Sequence, residues 1–307
     1  EADEFDRSFL SLSPTVAVIT NLEREHLDIY SDLDDLKRSF VEFANKVPFY
    51  GFVTVCLDEH SLMDILPLIK KKVISFGTIP QCDVRAIDPV YSERTSRFTV
   101  VRNGVVLGEV QVGVPGEHNM KNALAAITVG LEVGVSFDAI ASALRQFTGV
   151  YRRFEVKGEA GDVMVIDDYA HHPTEVRATL SAIRNGWRRR IVAVFQPHTY
   201  SRTRDFYEDF GKAFLNADIA IITDVYAARE RPIQGIDGEL VAKSARDFGH
   251  RHVHYAAQRE DVAAVALELI VPGDIVITMG AGDIWKSGDE ILEALKVKAG
   301  EEVGARA

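Results

Sequence analysis

Apolar and polar positions along this chain fall into blocks whose period changes with position. Thr15 to Thr20 (TVAVIT) is short, β-branched and apolar, the pattern of a buried strand. Leu33 to Asn45 places Leu33, Leu36, Phe40 and Phe43 at helical spacing, and Phe52 to Leu57 predicts a further strand. Between residues 84 and 113 the period shortens to two, with Arg97 to Val101 and Val105 to Val112 flanking the turn pair Asn103-Gly104. That stretch predicts a small antiparallel patch flanking the main sheet. Asn122 to Ile127 and about Phe137 to Phe147 predict helices, and the first domain closes near Gly149.

From Tyr151 onward the alternation is regular. Strands are expected at 163–167, 191–195, 218–223 and 274–279, with a weaker one at Val253 to Tyr255. They alternate with helices at about 174–185, 203–216, 238–248, 258–269 and 286–297, while Gly300 to Ala307 reads as a frayed tail. Such alternation implies a mostly parallel sheet covered on both faces. The expected fold class is therefore α/β, a domain over 1–150 with a mixed sheet followed by a Rossmann-like domain over 151–307.

A chain of 307 residues exceeds the usual single core, which agrees with two domains. Its net charge of -11 and pI near 5.3 argue against nucleic-acid backbones and anionic membranes as partners. Cys56 and Cys82 have no metal-ligand spacing and suggest a reducing compartment without a disulfide. No apolar run approaches the ~20 residues of a membrane span, so a cytoplasmic location is expected. The chain opens on Glu1 with no initiator methionine, as though an N-terminal portion were missing.

Chemistry concentrates where strands end. The run VMVIDDYAHHPTE ends an apolar strand in Asp167, Asp168, Tyr169, His171 and His172, with Pro173 placed to open a helix. A simple helix cap by Asp168 or His172 is the plainer reading, but a cap needs only one short polar side chain. Later strands end in Gln196 to Arg204, in Asp224-Val225-Tyr226 with Arg229, and in Gly280 to Asp283, and parallel strands would bring these ends to one edge. His198, Arg202 and Arg204 suit a carboxylate or phosphate. Adjacent His171 and His172 make a poor metal pair, because neighbours cannot both face one ion. GAGDIWKS lacks the glycine before lysine that a phosphate loop needs, and no strand-linked G-x-G-x-x-G supports a dehydrogenase. In the first domain Glu1 and His26 border predicted strands and could share a Mg²⁺. Asn119 and Asn122 share a helical face and could read a purine edge, or Asn119 could simply cap the helix.

In the order EADEFDRSFL, TNLEREHLDIY, GEHNMKNALAA, YRRFEVKGE, DDYAHHPTEV, FQPHTYSRTRDF and GAGDIW, these segments resemble the Mur ligases, the ATP-dependent amino-acid ligases of peptidoglycan synthesis. DDYAHHPTE separates the branch that joins L-alanine to UDP-N-acetylmuramate from ligases adding later residues, and FQPHTYSRTRDF argues against the peptide-recycling branch. The resemblance implies amide formation through an acyl phosphate, with ATP and Mg²⁺. It assigns Glu1 and His26 to magnesium, Asn119 and Asn122 to the nucleotide, Arg153 to its phosphates and Asp168 to its ribose. Glu1, His26 and Arg153 thus become the catalytic set. His198, Arg202 and Arg204, with Tyr169 and His172, would line the wall where L-alanine enters. The family's UDP-binding domain and G-x-x-G-K-T loop would precede Glu1, so residues 1–307 alone are expected to be inactive. A non-catalytic nucleotide-binding module is the rival reading, and oligomeric state is left open.

Overall fold

In a computed structural model, residues 2–25 and 29–306 are described, 301–306 by their backbone alone. The chain divides into two units, the first holding Glu1–Val90, Thr95–Gly113 and Glu117–Phe147 and the second Tyr91–Arg94, Val114–Gly116 and Thr148–Ala307.

In the first unit the described residues form a sheet of β1 (Val16–Ile19), β2 (Phe52–Cys56), β3 (Val73–Gly77), β4 (Val84–Ser92), β5 (Thr95–Arg102) and β6 (Val105–Val112), in that spatial order. β1 to β4 pair in parallel, with Val16 opposite Phe52, Val53 opposite Val73 and Phe76 opposite Val84. β5 and β6 pair antiparallel about Asn103 (φ 48°) and Gly104 (φ 81°), both left-handed as a two-residue hairpin turn requires. The hairpin continues the parallel strands as the edge of the same sheet, which is therefore mixed, as expected. The helices are α1 (Leu33–Asn45), α2 (His60–Ile65), α3 (Glu117–Glu132) and α4 (Phe137–Gln146). Asp32 caps α1 by accepting from the Asp35 N–H at 2.7 Å, which leaves Leu36 and Phe43 buried on its inner face.

In the second unit β7 (Glu155–Ala160), β8 (Val163–Asp168), β9 (Ile191–Phe195), β10 (Ile219–Thr223), β11 (Val253–Ala256) and β12 (Ile275–Met279) form a sheet ordered β11-β10-β9-β12-β8-β7. Every pairing is parallel except β7 with β8. Five helices alternate with the strands among the described residues: α5 (Pro173–Gly186), α6 (Tyr200–Ala213), α7 (Gly238–Asp247), α8 (Arg259–Leu269) and α9 (Trp285–Arg306). Every residue of β8, β9, β10 and β12 is buried, because helices cover both faces of these strands. Val165, Val194, Ile221, Val276 and Ile291 belong to one core cluster on one of those faces. α9 runs on through Arg306, so the backbone over 300–306, expected to belong to a frayed tail, is helical.

Insertion of β12 between β8 and β9 decides where the chemistry gathers. Met279 pairs with both Asp168 and Phe195, and Phe195 pairs with Ile222. Four strands therefore end level with one another, and their following loops leave one edge of the sheet. Ligands of open α/β sheets bind at such an edge.

Candidate active site

The loop after β8 carries most of the titratable groups. Asp168 is 6% exposed, and its carboxylate accepts from the Ala170 N–H (2.9 Å), the Phe154 N–H (3.2 Å) and the Thr179 hydroxyl (3.1 Å). Burial pushes its pKa up to about 6, with the neighbouring Glu175 charge adding to the rise against those hydrogen bonds and Arg153. A carboxylate offers about four acceptor positions, so one remains for a ligand. His172 is the N-cap of α5: its Nδ1 accepts from Thr174 at 3.4 Å, and Glu175 Oε2 accepts from the N–H groups of His171 (2.9 Å) and His172 (3.1 Å). Its ring is buried and meets Phe206 edge-on at 5.0 Å. Burial alone would raise Glu175, but His171, the two N–H groups and Arg153 outweigh it and hold its carboxyl below the usual range.

Four rings from three loops form a row. Tyr169 meets His171 at 5.3 Å between centroids, His171 meets His198 at 5.7 Å, and His198 lies parallel to Tyr226 at 5.8 Å and 12°. The loops after β8, β9 and β10 supply them. The hydrogen bonds place a proton on one nitrogen of each ring. His171 Nδ1 lies 3.0 Å from the Tyr169 carbonyl, which can only accept, so Nδ1 carries the proton. His198 Nδ1 lies 3.2 Å from Arg202, whose guanidinium can only donate, so its proton sits on Nε2. Burial, reinforced by His171 and Arg202, pushes His198 down to about 4, which keeps that imidazole neutral at physiological pH.

Two adjacent arginines frame the Tyr169 end. Arg152 is left-handed (φ 57°); its guanidinium donates to Asp167 Oδ2 at 2.8 Å, to the Gly280 carbonyl at 2.8 Å and to the Gly282 carbonyl at 3.4 Å. Arg153 is 53% exposed in its side chain and reaches Glu175 at 3.5 Å. Both guanidiniums lie over the Tyr169 ring, at 5.1 and 5.4 Å. Arg153, the more exposed, can meet an anion, while Arg152, partly buried, ties the ends of β8 and β12 together. Arg202, in the first turn of α6, joins the ring row through its guanidinium at His198 Nδ1. Arg204 does not: it is exposed and forks onto Asp205 at 2.7 and 3.1 Å.

In the first unit, Asn119 and Asn122 sit in the first two turns of α3, Asn119 half-buried and Asn122 exposed. Asn119 therefore lies inside the helix rather than at its cap. Lys121, between them, lies 3.2 Å from Glu117, 3.5 Å from Asp58 and 3.7 Å from Glu59, which brings the end of β2 to this helix. Burial alone would lower the Lys121 pKa, but Asp58 and Glu117 reverse that and raise it. Cys56 and Cys82 are buried free thiols, pushed up by burial to about 11 and about 12, and so are poor nucleophiles.

Glu1 and His26, the expected magnesium pair, lie outside the described residues. Among the described residues no three His, Cys, Asp or Glu side chains converge as a metal site, and no helix is long and apolar enough to cross a membrane. Arg152, His171, Glu175, Tyr226 and Glu230 belong to the assembled network, and sequence reasoning gave none of them a role. Tyr226 stood in a strand-end loop and could have been found by asking which ring stacks on His198. Glu230 carries no local signal.

The middle domain of Mur ligases matches residues 2–130, and the Mur ligase glutamate ligase domain matches 152–282. UDP-N-acetylmuramate--L-alanine ligase of Geotalea uraniireducens is 50% identical over 296 residues, 96% of this chain and 65% of that protein. The ligase of the same name from Salinibacter ruber is 48% identical over 99% of this chain and 64% of its own length. The chain thus spans just under two thirds of these relatives. A crystal structure of UDP-N-acetylmuramate-alanine ligase from Thermotoga maritima aligns over 97% of this chain and 63% of its own, with TM-score 0.79 and 26% identity. Matched by both domain families in order and by relatives about half identical over nearly all of its own length, the chain belongs to the Mur ligase family.

Proposed function

We propose that this chain is the catalytic part of an ATP-dependent ligase that joins L-alanine to the lactyl carboxylate of UDP-N-acetylmuramate in the cytoplasm. The observation that carries the reading is the 50% identity to a protein of that name over 96% of the chain. When bound, ATP would supply the phosphoryl group that activates the carboxylate as an acyl phosphate, and Mg²⁺ would neutralise its charge. Glu1 and His26 are the proposed magnesium ligands.

The chain's own residues then bind and orient. Asn119 and Asn122 present amides on one face of α3 for the adenine edge, and Asp168 keeps one acceptor position for a ribose hydroxyl. Arg153, exposed beside Tyr169, is placed to meet phosphate oxygens. Arg202 and the Nε2–H of His198 give the incoming amino acid's carboxylate two donors, with Tyr169 and His171 as the adjoining wall. Positioning of this kind is most of what acyl-phosphate chemistry asks of a protein. His172, committed to the α5 cap, acts through the shape of the loop, and Arg204, paired with Asp205, drops out of the proposed set.

The test is phosphate release by the polypeptide at the full length its gene encodes, with ATP, Mg²⁺ and UDP-N-acetylmuramate, as each amino acid is supplied in turn. Release that depends on L-alanine is expected. Turnover with a tripeptide instead would move the chain to the peptide-recycling branch, and ATP binding without any turnover would favour a non-catalytic module.

A further inference from the structure

Helix α6 carries Arg202 in its first turn yet has no cap of its own. Thr199, its N-cap residue, accepts no helix N–H on its side chain, whose hydroxyl meets only the Ser201 hydroxyl at 3.5 Å, and it sits at φ 65°, a costly conformation for a β-branched residue. The first turn contains no acidic residue, so nothing within it offsets the helix dipole that the Arg202 guanidinium faces. The compensation comes from elsewhere in the chain. Glu230 Oε2 accepts from the Ser201 N–H at 2.9 Å, and its other oxygen accepts from the Ser201 hydroxyl. A carboxylate 29 positions away thus caps the helix in trans.

The same loop holds the strained residue and the imidazole beside it. Tyr226 donates its N–H to the Pro197 carbonyl at 2.8 Å and accepts from the Thr199 N–H at 2.9 Å, a short parallel bridge about His198. Its ring lies against the His198 ring. Gly282 leaves room for that ring, since a Cβ there would fall 2.6 Å from Tyr226 Cγ. His198 is therefore fixed by Tyr226 on one face, by the edge contact with His171 and by Arg202 at Nδ1.

We propose that the loop after β10 is the positioning element of the amino-acid end of the site, with Tyr226 holding the His198 ring and Glu230 holding the turn that carries Arg202. This rests on the reading above that His198 and Arg202 receive the carboxylate of the amino acid. Tyr226 and Glu230 touch no reacting atom; they set where two donors point.

The experiment compares Tyr226→Ala, Tyr226→Phe, Glu230→Ala and Glu230→Gln in the full-length polypeptide. Each alanine variant is expected to raise KM for L-alanine about tenfold, the effect of losing one well-made hydrogen bond, while KM for ATP and the sugar nucleotide stays put. Tyr226→Phe keeps the stacked ring and should resemble the parent. Glu230→Gln keeps an acceptor for the Ser201 N–H and should recover most of the loss. A uniform fall in kcat with every KM unchanged would mean a merely structural role and would overturn the proposal. Nitrogen-15 shifts of His198 give a readout independent of turnover. The parent should show the Nε2–H tautomer and both alanine variants a mixture, and an unchanged tautomer in both would also overturn it. If the parent itself releases no phosphate with L-alanine, the substrate reading falls, and the tautomer alone then decides whether the loop positions His198.

Discussion

Arg152, itself partly exposed, forms an ion pair with the buried Asp167, Nε to Oδ2 at 2.8 Å, at the point where the ends of β8 and β12 meet. Asp167 is 1% exposed and also accepts from the Thr278 hydroxyl at 2.7 Å. Removing one partner of a buried pair strands the other, at a cost of about 3 to 5 kcal/mol. Arg152→Ala is therefore expected to lower the unfolding free energy by that order, read by urea denaturation. Arg153→Ala, one position along but exposed, should leave stability nearly unchanged and instead lower kcat/KM for ATP. Equal stability losses in the two variants would remove the distinction between the scaffold arginine and the ligand-facing one.

Gly282 faces the Gln196 side chain as well as Tyr226: an added Cβ would lie 2.4 Å from Gln196 Oε1. Gln196 is itself tied to this loop, donating to Asp283 Oδ1 and accepting from the Asp283 N–H, each at 3.1 Å. Gly282→Ala must displace one or both side chains, which by the usual cost of overpacking destabilises by about 1 to 3 kcal/mol. The same shift should lift Tyr226 away from His198. Thermal unfolding together with KM for L-alanine checks this, and a variant normal in both would show that the loop yields easily.

Much of this architecture was legible because burial leaves a pattern. Strands such as Ile191–Phe195 and Ile275–Met279 are apolar throughout, and Asn103-Gly104 announces its hairpin. β7 escaped notice because Glu155–Ala160 is a polar edge strand with a bulge between Val156 and Gly158, so neither face alternates cleanly. For the site, the strand-end rule picked out Asp168, Tyr169 and His198, since parallel strands force their ends together. What it could not give is side-chain direction. His171 and His172 are adjacent, yet one joins the ring row and the other caps α5. Arg202 and Arg204 are two apart on a helix, about 200° around its axis, and only one reaches His198. Glu230 is joined to Ser201 only by the return of β10 beside β9.

Asn119 and Asn122 share one face of α3, with Asn122 exposed and the helix interior carried by Met120, Ala123 and Leu124. Asn122→Ala should then cost little stability, since alanine is the better helix former, by up to about 0.7 kcal/mol. If its amide reads the adenine edge, ATP affinity should fall while GTP affinity stays the same. Titration calorimetry with both nucleotides on the full-length polypeptide measures this. A parallel loss for both would assign Asn122 to general packing of the site rather than to base recognition.

Asp168 makes the stability of the second unit depend on pH in a direction opposite to that of an ordinary salt-bridged carboxylate. Its folded pKa is raised from the ordinary 3.8 to about 6, so between those values the folded state binds the proton more tightly than the unfolded chain does. Stability associated with this group is fully present below pH 3.8 and is lost as pH rises through about 6. The cause is burial, to which the charge of Glu175 adds, while the Ala170 N–H, Arg153 and the Thr179 hydroxyl offset only part of it. Asp168→Asn removes the titration and supplies the reference. The unfolding free energy of the parent relative to this variant is expected to fall by about 2 to 3 kcal/mol between pH 4 and pH 7.5. The constant offset from misplaced amide hydrogens cancels in that slope. A parent that gains stability over the variant as pH rises would mean that the Phe154 and Ala170 N–H groups and the Thr179 hydroxyl overcome burial, and that Asp168 is held ionised throughout.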